Sequence, residues 1–306
     1  MLTWTLLACT GSTTQDTNST APVEPPDPLG VAPSVLPAPE RLVGFADVHG
    51  DLQATPDVLQ LAGLTDASGH WVGGETVVVQ TGDQLDRGDN EQAILDLFEQ
   101  LRVEAAEAGG GFHPLLGNHE TMNVEWDFRY VTAGGFEDFA DTDHDPDDPT
   151  LAEFEPEERG RAAAFRPGGP YAQVLATHNM TMQVGDTVFV HGGILPEHAA
   201  AGLDTINREV QAWIRGETEP PETWISGEAP VWTRIYSDED APDCEQLSEA
   251  LATLGAARMV VGHTVQDRAN PDCDDQVWRM DVGMAEHYGG SSAAVEIRGD
   301  VVTLLD

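Results

Sequence analysis

The sequence contains no lysine. Its 14 basic residues are all arginine, set against 54 carboxylates, and the formal charge is -40. That imbalance excludes diffuse electrostatic binding to DNA, RNA or an anionic lipid surface, which requires a basic face. Cysteine is scarce as well. Cys9, Cys244 and Cys273 are too few to frame a fold with disulfides, and they lack zinc-site spacing. No apolar run reaches the roughly 18 residues of a membrane-spanning helix. What remains is an ordinary globular mixture, 40% hydrophobic and 22% charged, in a chain of 306 residues that can bury a large core. Most of the carboxylates read as a solvated surface that keeps the protein soluble.

The stretch Leu6–Cys9, "LLAC", resembles a bacterial lipobox, in which the cysteine is lipidated and becomes the mature N-terminus. Residues 1–9 then read as the remnant of a lipoprotein signal, although no basic residue precedes the short apolar run. This reading anchors the chain by lipid at Cys9, in the periplasm or on the surface of a bacterial envelope; a chance match would leave it cytoplasmic. Residues 10–40, rich in Thr, Ser, Pro and Asp, are expected to form a disordered tether. In an oxidising compartment Cys244 and Cys273 are a candidate pair, with two free thiols as the alternative.

Residues 41–306 alternate short apolar strands with helical segments and close on consecutive strands, which predicts one large α/β domain. "RLVGFA" (Arg41–Ala46) reads as a buried strand. In "TPDVLQLAG", Thr55 is the expected N-cap, Pro56 the first helical residue and Gly63 the terminator. "ETVVVQ" and "FHPLL" read as further strands, separated by a helix whose apolar residues keep the 3.6 period from Ala93 to Ala105. Residues 134–165 are acidic and mixed in character, an expected helical insertion with a mobile acidic loop. Asp141, Asp143, Asp145 and Asp147 alternate there like a calcium loop, but Pro146 and Ala152 occupy the positions where an EF-hand needs Gly and Glu.

The chemistry gathers where strands end. "ADVHGD" (Ala46–Asp51), "GDQLDRGD" (Gly82–Asp89), "GNHE" (Gly117–Glu120), "VHGG" (Val190–Gly193) and "VVGHT" each put Asp, Asn or His directly after an apolar strand, often beside glycine. Rigid strands can aim such side chains at one point. Each motif alone is weak, but the set in this order is specific.

The order resembles the metallophosphoesterases, and within them the phosphoprotein phosphatase family, whose signatures are Gly-Asp-x-His-Gly, Gly-Asp-x-x-Asp-Arg-Gly and Gly-Asn-His-Glu. Only the first is altered here, with Ala46 replacing its leading glycine. "WVGGETVVVQTGDQLDRGDN", "FRPGGPYAQVLA", "DTVFVHGG" and "RMVVGHTVQ" look like the Shewanella-like protein phosphatase branch. The resemblance implies the calcineurin-like metallophosphoesterase fold, two mixed β-sheets packed as a sandwich and flanked by helices. It assigns Asp47, His49 and Asp83 to one metal ion, and Asp83 (as the bridge), Asn118, His191 and His263 to a second.

Asp and Asn oxygens with neutral imidazoles suit manganese, iron or zinc, manganese being the first expectation. Two such cations ionise a water that attacks phosphorus in line, with no phosphoenzyme. The leaving oxygen needs a proton; His119 is the candidate general acid and Asp86 its brace. Arg87 has the bidentate fork for phosphate. Arg234 is the first choice for a second phosphate-binding arginine and Arg166 the next, with a surface salt bridge as the alternative for Arg166. Tyr288 either walls the cleft or packs structurally. His113, His144, His178 and His198 have no motif context and read as non-ligands. The expected substrate is a phosphorylated protein or peptide, or a small phosphoester. A dinucleoside polyphosphate hydrolase or phosphodiesterase on the same core is the enzyme alternative. A non-catalytic metal-binding envelope lipoprotein is the other, and the joint presence of His119, Asp86 and Arg87 argues against it.

Overall fold

The computed structural model describes residues 30–238 and 242–306. Cys9 and residues 10–29 of the expected tether lie outside the described residues. The strands in chain order begin with β1 (Val35–Leu36), β2 (Leu42–Phe45), β3 (Val77–Gln80) and β4 (Gly111–Pro114). Next come β5 (Thr181–Val184), β6 (Thr187–Val190), β7 (Arg258–Val261), β8 (Asn270–Asp272) and β9 (Val277–Arg279). The hairpin β10 (Ala294–Arg298) and β11 (Val301–Leu305) closes the chain.

These strands form two sheets, ordered β11-β10-β2-β3-β4 and β1-β5-β6-β7-β9-β8. In the first, β2, β3 and β4 run parallel; in the second, β6, β7 and β9 do. The sheets face each other across one apolar core, to which Val43, Phe45, Val79, Met182, Phe189, Val260 and Val295 all contribute. Burying each Phe of that core contributes on the order of 2 kcal/mol. Gly44 marks how close the sheets come: a methyl there would stand 2.8 Å from the Phe189 ring and 3.1 Å from Val295. Helices flank the sheets, among them α1 (Ala54–Leu61), which follows β2, and α2 (Glu91–Glu107), which follows β3. None of the described helices is long and apolar enough to cross a membrane.

Three sequence expectations change. Thr55 is not the N-cap of α1; it lies buried within the helix, and Asp51 accepts the N–H groups of Gln53 and Ala54 instead. A carboxylate one turn earlier serves the free amides better than a threonine already in the helix. Residues 30–40 belong to the fold rather than to a tether. There β1 pairs in parallel with β5, Gly30 O accepts from Arg102, and Ala32 O accepts from Asn179. The acidic segment is also more integrated than its composition suggests. It contains α4 (Ala133–Asp138) and α5 (Arg159–Phe165), and Phe139, Leu151 and Phe165 are buried. Cys244 and Cys273 form a disulfide with Cα atoms 5.2 Å apart.

Candidate metal centre and active site

The parallel strands end on one side of the sandwich, and the turns and loops beyond those ends build the site. From the first sheet, the turn after β2 carries Asp47 and His49, and the turn after β3 carries Asp83, Asp86 and Arg87. The chain beyond β4 enters α3 (Asn118–Val124) through Gly117. His191 and His263 follow β6 and β7 of the second sheet. Neighbouring loops are tied by backbone: Asp83 O accepts from Val48 and His49, and Gln84 O accepts from Gly50. Glu120 locks the third loop to the second by accepting four main-chain N–H groups, from Asp83, Gln84, Leu85 and Gly117, at 2.7–3.2 Å. Backbone strain concentrates here. His49, Asp83, Asp86, Arg87 and His263 all have positive φ, between 44° and 69°. Left-handed backbone costs a side-chain-bearing residue on the order of 1–3 kcal/mol, and it persists where aiming that side chain matters.

Backbone carbonyls fix the imidazoles. Thr81 O lies 3.0 Å from His191 Nδ1, Leu85 O 3.0 Å from His49 Nδ1, and Trp232 O 3.2 Å from His263 Nε2. A carbonyl can only accept, so each of these nitrogens carries the proton and the opposite nitrogen presents a lone pair. Those lone pairs converge. His191 Nε2 lies 2.9 Å from Asn118 Oδ1, 3.1 Å from Asp83 Oδ2 and 3.1 Å from His263 Nδ1. His49 Nε2 lies 3.8 Å from Asp83 Oδ2 and 3.9 Å from Asp47 Oδ2. All of these residues are buried. Burial pushes the His49 imidazole down to about 4, and burial with the neighbouring His191 and Arg234 pushes His263 down to about 2. Asp47 is driven well above the usual carboxylate range by burial, then by Asp281 and Asp83. Electron-rich atoms facing one another in a dry pocket repel unless cations sit among them. The donor set therefore fits two divalent ions, with Asp83 placed between the groups that hold each one. Gly117 makes room for the Asp83 carboxylate, since a methyl there would overlap Asp83 Oδ1.

At the edge of this cluster stands His119. Its Nδ1 lies 2.6 Å from Asp86 Oδ2, and its Nε2 faces inward, 3.7 Å from Asp83 Oδ2. Burial works against charge on this imidazole but is outweighed by Asp83 and Asp86, so its pKa is raised.

Residues 40–267 match the family described as calcineurin-like phosphoesterase. The chain is 42% identical over 297 residues to Shewanella-like protein phosphatase 2 of Arabidopsis thaliana, covering 86% of this chain and 76% of that protein. It is 24% identical over 263 residues to Shewanella-like protein phosphatase 1 of Plasmodium berghei, covering 81% and 69%. Among solved structures, a cold-active protein tyrosine phosphatase superposes with a TM-score of 0.76 at 25% identity, over 90% of this chain and 79% of that one.

The chain belongs to the calcineurin-like phosphoesterase family.

Its fold is the calcineurin-like one expected from the motifs, and it is a dinuclear metal-dependent phosphatase. Around the phosphoesterase centre the arginines separate. The Arg87 guanidinium stacks 4.0 Å over the Tyr130 ring and 5.9 Å from that of Tyr288, and its Nε is buried with no acceptor among the described residues. With His49 it lines a cavity of about 430 Å³ that opens beside the cluster. Arg234 is held at the rim, where Nη1 donates to His263 O and Thr264 Oγ1. Arg166 donates to Asp148 of the acidic segment at 2.7 Å and, among the described residues, shares no hydrogen bond with the cluster, so the structure places it in the surface salt bridge. Tyr288 is 40% exposed, and its ring stands 5.5 Å from that of His49.

The four histidines expected to be non-ligands lie outside the cluster. His178 bonds Glu99, His144 faces Thr142 O, and His198 accepts from Leu195 N, while His113 sits on β4. Two participants escape the sequence motifs. Asp281, buried at the end of β9, is pushed up to about 6 by burial and adds to the charge around Asp47. Its signal is like the others, an aspartate just beyond a strand and two residues before a glycine, in "VWRMDVG". The second is Arg161, which bonds Asp86 from α5.

Proposed function

We propose that this chain hydrolyses phosphate monoesters on phosphorylated proteins or peptides, in a single in-line displacement by water and with manganese as the preferred ion. The observation that carries the reading is the His119–Asp86 pair, set at the edge of the converging lone pairs with His119 Nε2 turned inward. Two divalent ions bound there would supply an ionised water near neutral pH and positive charge toward phosphate oxygens. The chain's own residues account for the remainder. Arg87 brings a guanidinium fork to the cavity beside the cluster, and Arg234 stands on the His263 side. His119, as the imidazolium that Asp83 and Asp86 favour, gives its Nε2 proton to the leaving oxygen, and Asp86 holds the ring in the orientation that makes this productive. The protein-phosphatase names of its relatives support a phosphoprotein substrate.

The test is a panel of Ser-, Thr- and Tyr-phosphopeptides, a dinucleoside polyphosphate and a phosphodiester, each assayed with Mn, Fe, Zn or no added metal. Fastest turnover of a phosphopeptide with Mn supports the proposal. Preferential turnover of the dinucleotide or the diester overturns it.

We also propose envelope attachment through a lipid on Cys9, supported by "LLAC" and the Thr/Ser/Pro-rich residues after it. A Cys9→Ser chain that remains in the membrane fraction would contradict it.

A further inference from the structure

Arg161 is fully buried in a segment whose composition suggests a solvated surface. All five of its N–H groups have acceptors. Nε donates to Asn123 Oδ1 at 2.8 Å; Nη1 donates to Gly135 O at 2.8 Å and to Glu91; Nη2 donates to Asp86 Oδ1 and Glu91 Oε1, both at 3.1 Å. The rings of Phe139 and Phe165 stand 5.1 and 5.2 Å from the guanidinium carbon. A lysine, with three N–H groups and no plane, cannot reproduce this arrangement.

The contacts lead to His119. Asp86 divides its oxygens: Oδ1 accepts from Arg161 and, at 2.9 Å, from Asn123 Nδ2, while Oδ2 faces His119 Nδ1. Asn123 also donates to His119 O at 2.9 Å, so its amide orientation is set on both sides. Glu91, the other carboxylate on Arg161, accepts the N–H of Asp86. The guanidinium thus fixes Asp86 through its side-chain oxygen and, by way of Glu91, through its backbone. With Oδ1 occupied and the main chain held, Oδ2 has one orientation left, toward the imidazole.

We infer that Arg161 is a positioning residue for proton delivery: it holds Asp86 so that His119 Nε2 is aimed at the leaving oxygen. The inference rests on the proposed role of His119 as proton donor. In the step it serves, the oxygen of the ionised water, whose proton has gone to solvent, bonds to phosphorus as the P–O bond to the leaving group breaks. The electron pair of that bond goes to the leaving oxygen, which takes the His119 Nε2 proton; His119 is reprotonated from solvent before the next turnover. A buried ion cluster that merely fastened α5 to α2 and α3 would show the same contacts, but it would not distinguish one leaving group from another.

The experiment compares dinitrophenyl phosphate, whose leaving group departs without a proton, with phenyl phosphate, whose leaving group needs one. Arg161→Met, Arg161→Lys and His119→Asn are assayed on both, with metal content and thermal melting measured alongside. The expected result is a kcat loss at least about tenfold larger on phenyl phosphate for His119→Asn and Arg161→Met, with a smaller bias for Arg161→Lys and little change in KM. If Arg161→Met does not fold, Arg161→Lys carries the comparison, and adding it to His119→Asn should cost almost nothing further on phenyl phosphate. Equal losses on both substrates for the Arg161 variants, beside a biased loss for His119→Asn, overturn the inference and leave the role of His119 standing. An unbiased loss for His119→Asn overturns both.

Discussion

Asp83 reaches His119 twice: its Oδ1 accepts the His119 main-chain N–H at 3.0 Å, and its Oδ2 lies 3.7 Å from the inward nitrogen of the same ring. One carboxylate therefore sets the backbone of the proposed acid and shares the pocket into which that acid points. The proposed metal ligand and the proposed proton donor thus meet in two neighbouring loops, and substitutions there should separate the two functions.

His119→Ala removes the proposed proton donor without touching a metal ligand. Phosphopeptide turnover should fall about 10²–10⁴-fold while circular dichroism and metal content stay near wild type. Asp86→Asn should cost less, because a mis-set ring still delivers some protons. Steady-state kinetics on purified variants decide this, and a His119→Ala enzyme within a few-fold of wild type would contradict it.

Gly117→Ala should act on the metals instead. The added methyl would overlap Asp83 Oδ1, so the carboxylate proposed to bridge the metals has to move. Bound metal per chain should drop, and activity should fall with it, although the substitution adds one methyl and no charge. Elemental analysis after gel filtration measures the ratio; full metal occupancy in Gly117→Ala would show that the site tolerates the shift.

The arginines should rank by position. Arg87→Lys keeps the charge but loses the fork and the stacking on Tyr130, and its main effect should be a higher KM with some loss of kcat. Arg234→Ala should weaken inhibition by inorganic phosphate. Arg166→Ala should match wild type within about twofold, since it loses only a half-exposed pair to Asp148.

Acid should destabilise the fold in part through histidines outside the site. Burial, with Arg102 nearby, pushes His113 down to about 4 from its ordinary 6.5, and burial lowers His178 despite its bond to Glu99. Below the ordinary value the unfolded chain takes up protons that the folded chain refuses, so stability falls as pH drops from about 6.5 toward 4. His113→Gln should flatten the melting temperature in that window, measured by calorimetry with the site inactivated in both proteins. An unchanged slope would remove His113 from the explanation.

The sequence carries the centre well because its information is local. Each candidate ligand sits within four residues of the end of an apolar strand, so a motif a few residues long fixes both the chemistry and its place on the sheet. Asp281 obeys the same rule but is inconspicuous, because a lone Asp-x-Gly has no histidine to mark it. Arg161 is illegible for a different reason. It is 75 residues from Asp86, inside an acidic and alanine-rich stretch, and only the packing of α5 shows that its charge is buried. Residues 30–40 mislead through composition. A Pro-rich segment reads as a tether, yet Val35 and Leu36 need only main-chain hydrogen bonds to join β5.

The central claim is that Asp83 joins two metal ions into one catalytic centre. Its most direct test is a titration of metal-stripped protein with Mn, following aryl phosphate hydrolysis and bound metal together in wild type and Asp83→Asn. The account predicts that wild-type activity appears only as the ratio approaches two ions per chain, and that folded Asp83→Asn neither reaches that ratio nor turns over. Full turnover by the metal-stripped chain, or by Asp83→Asn, would contradict it.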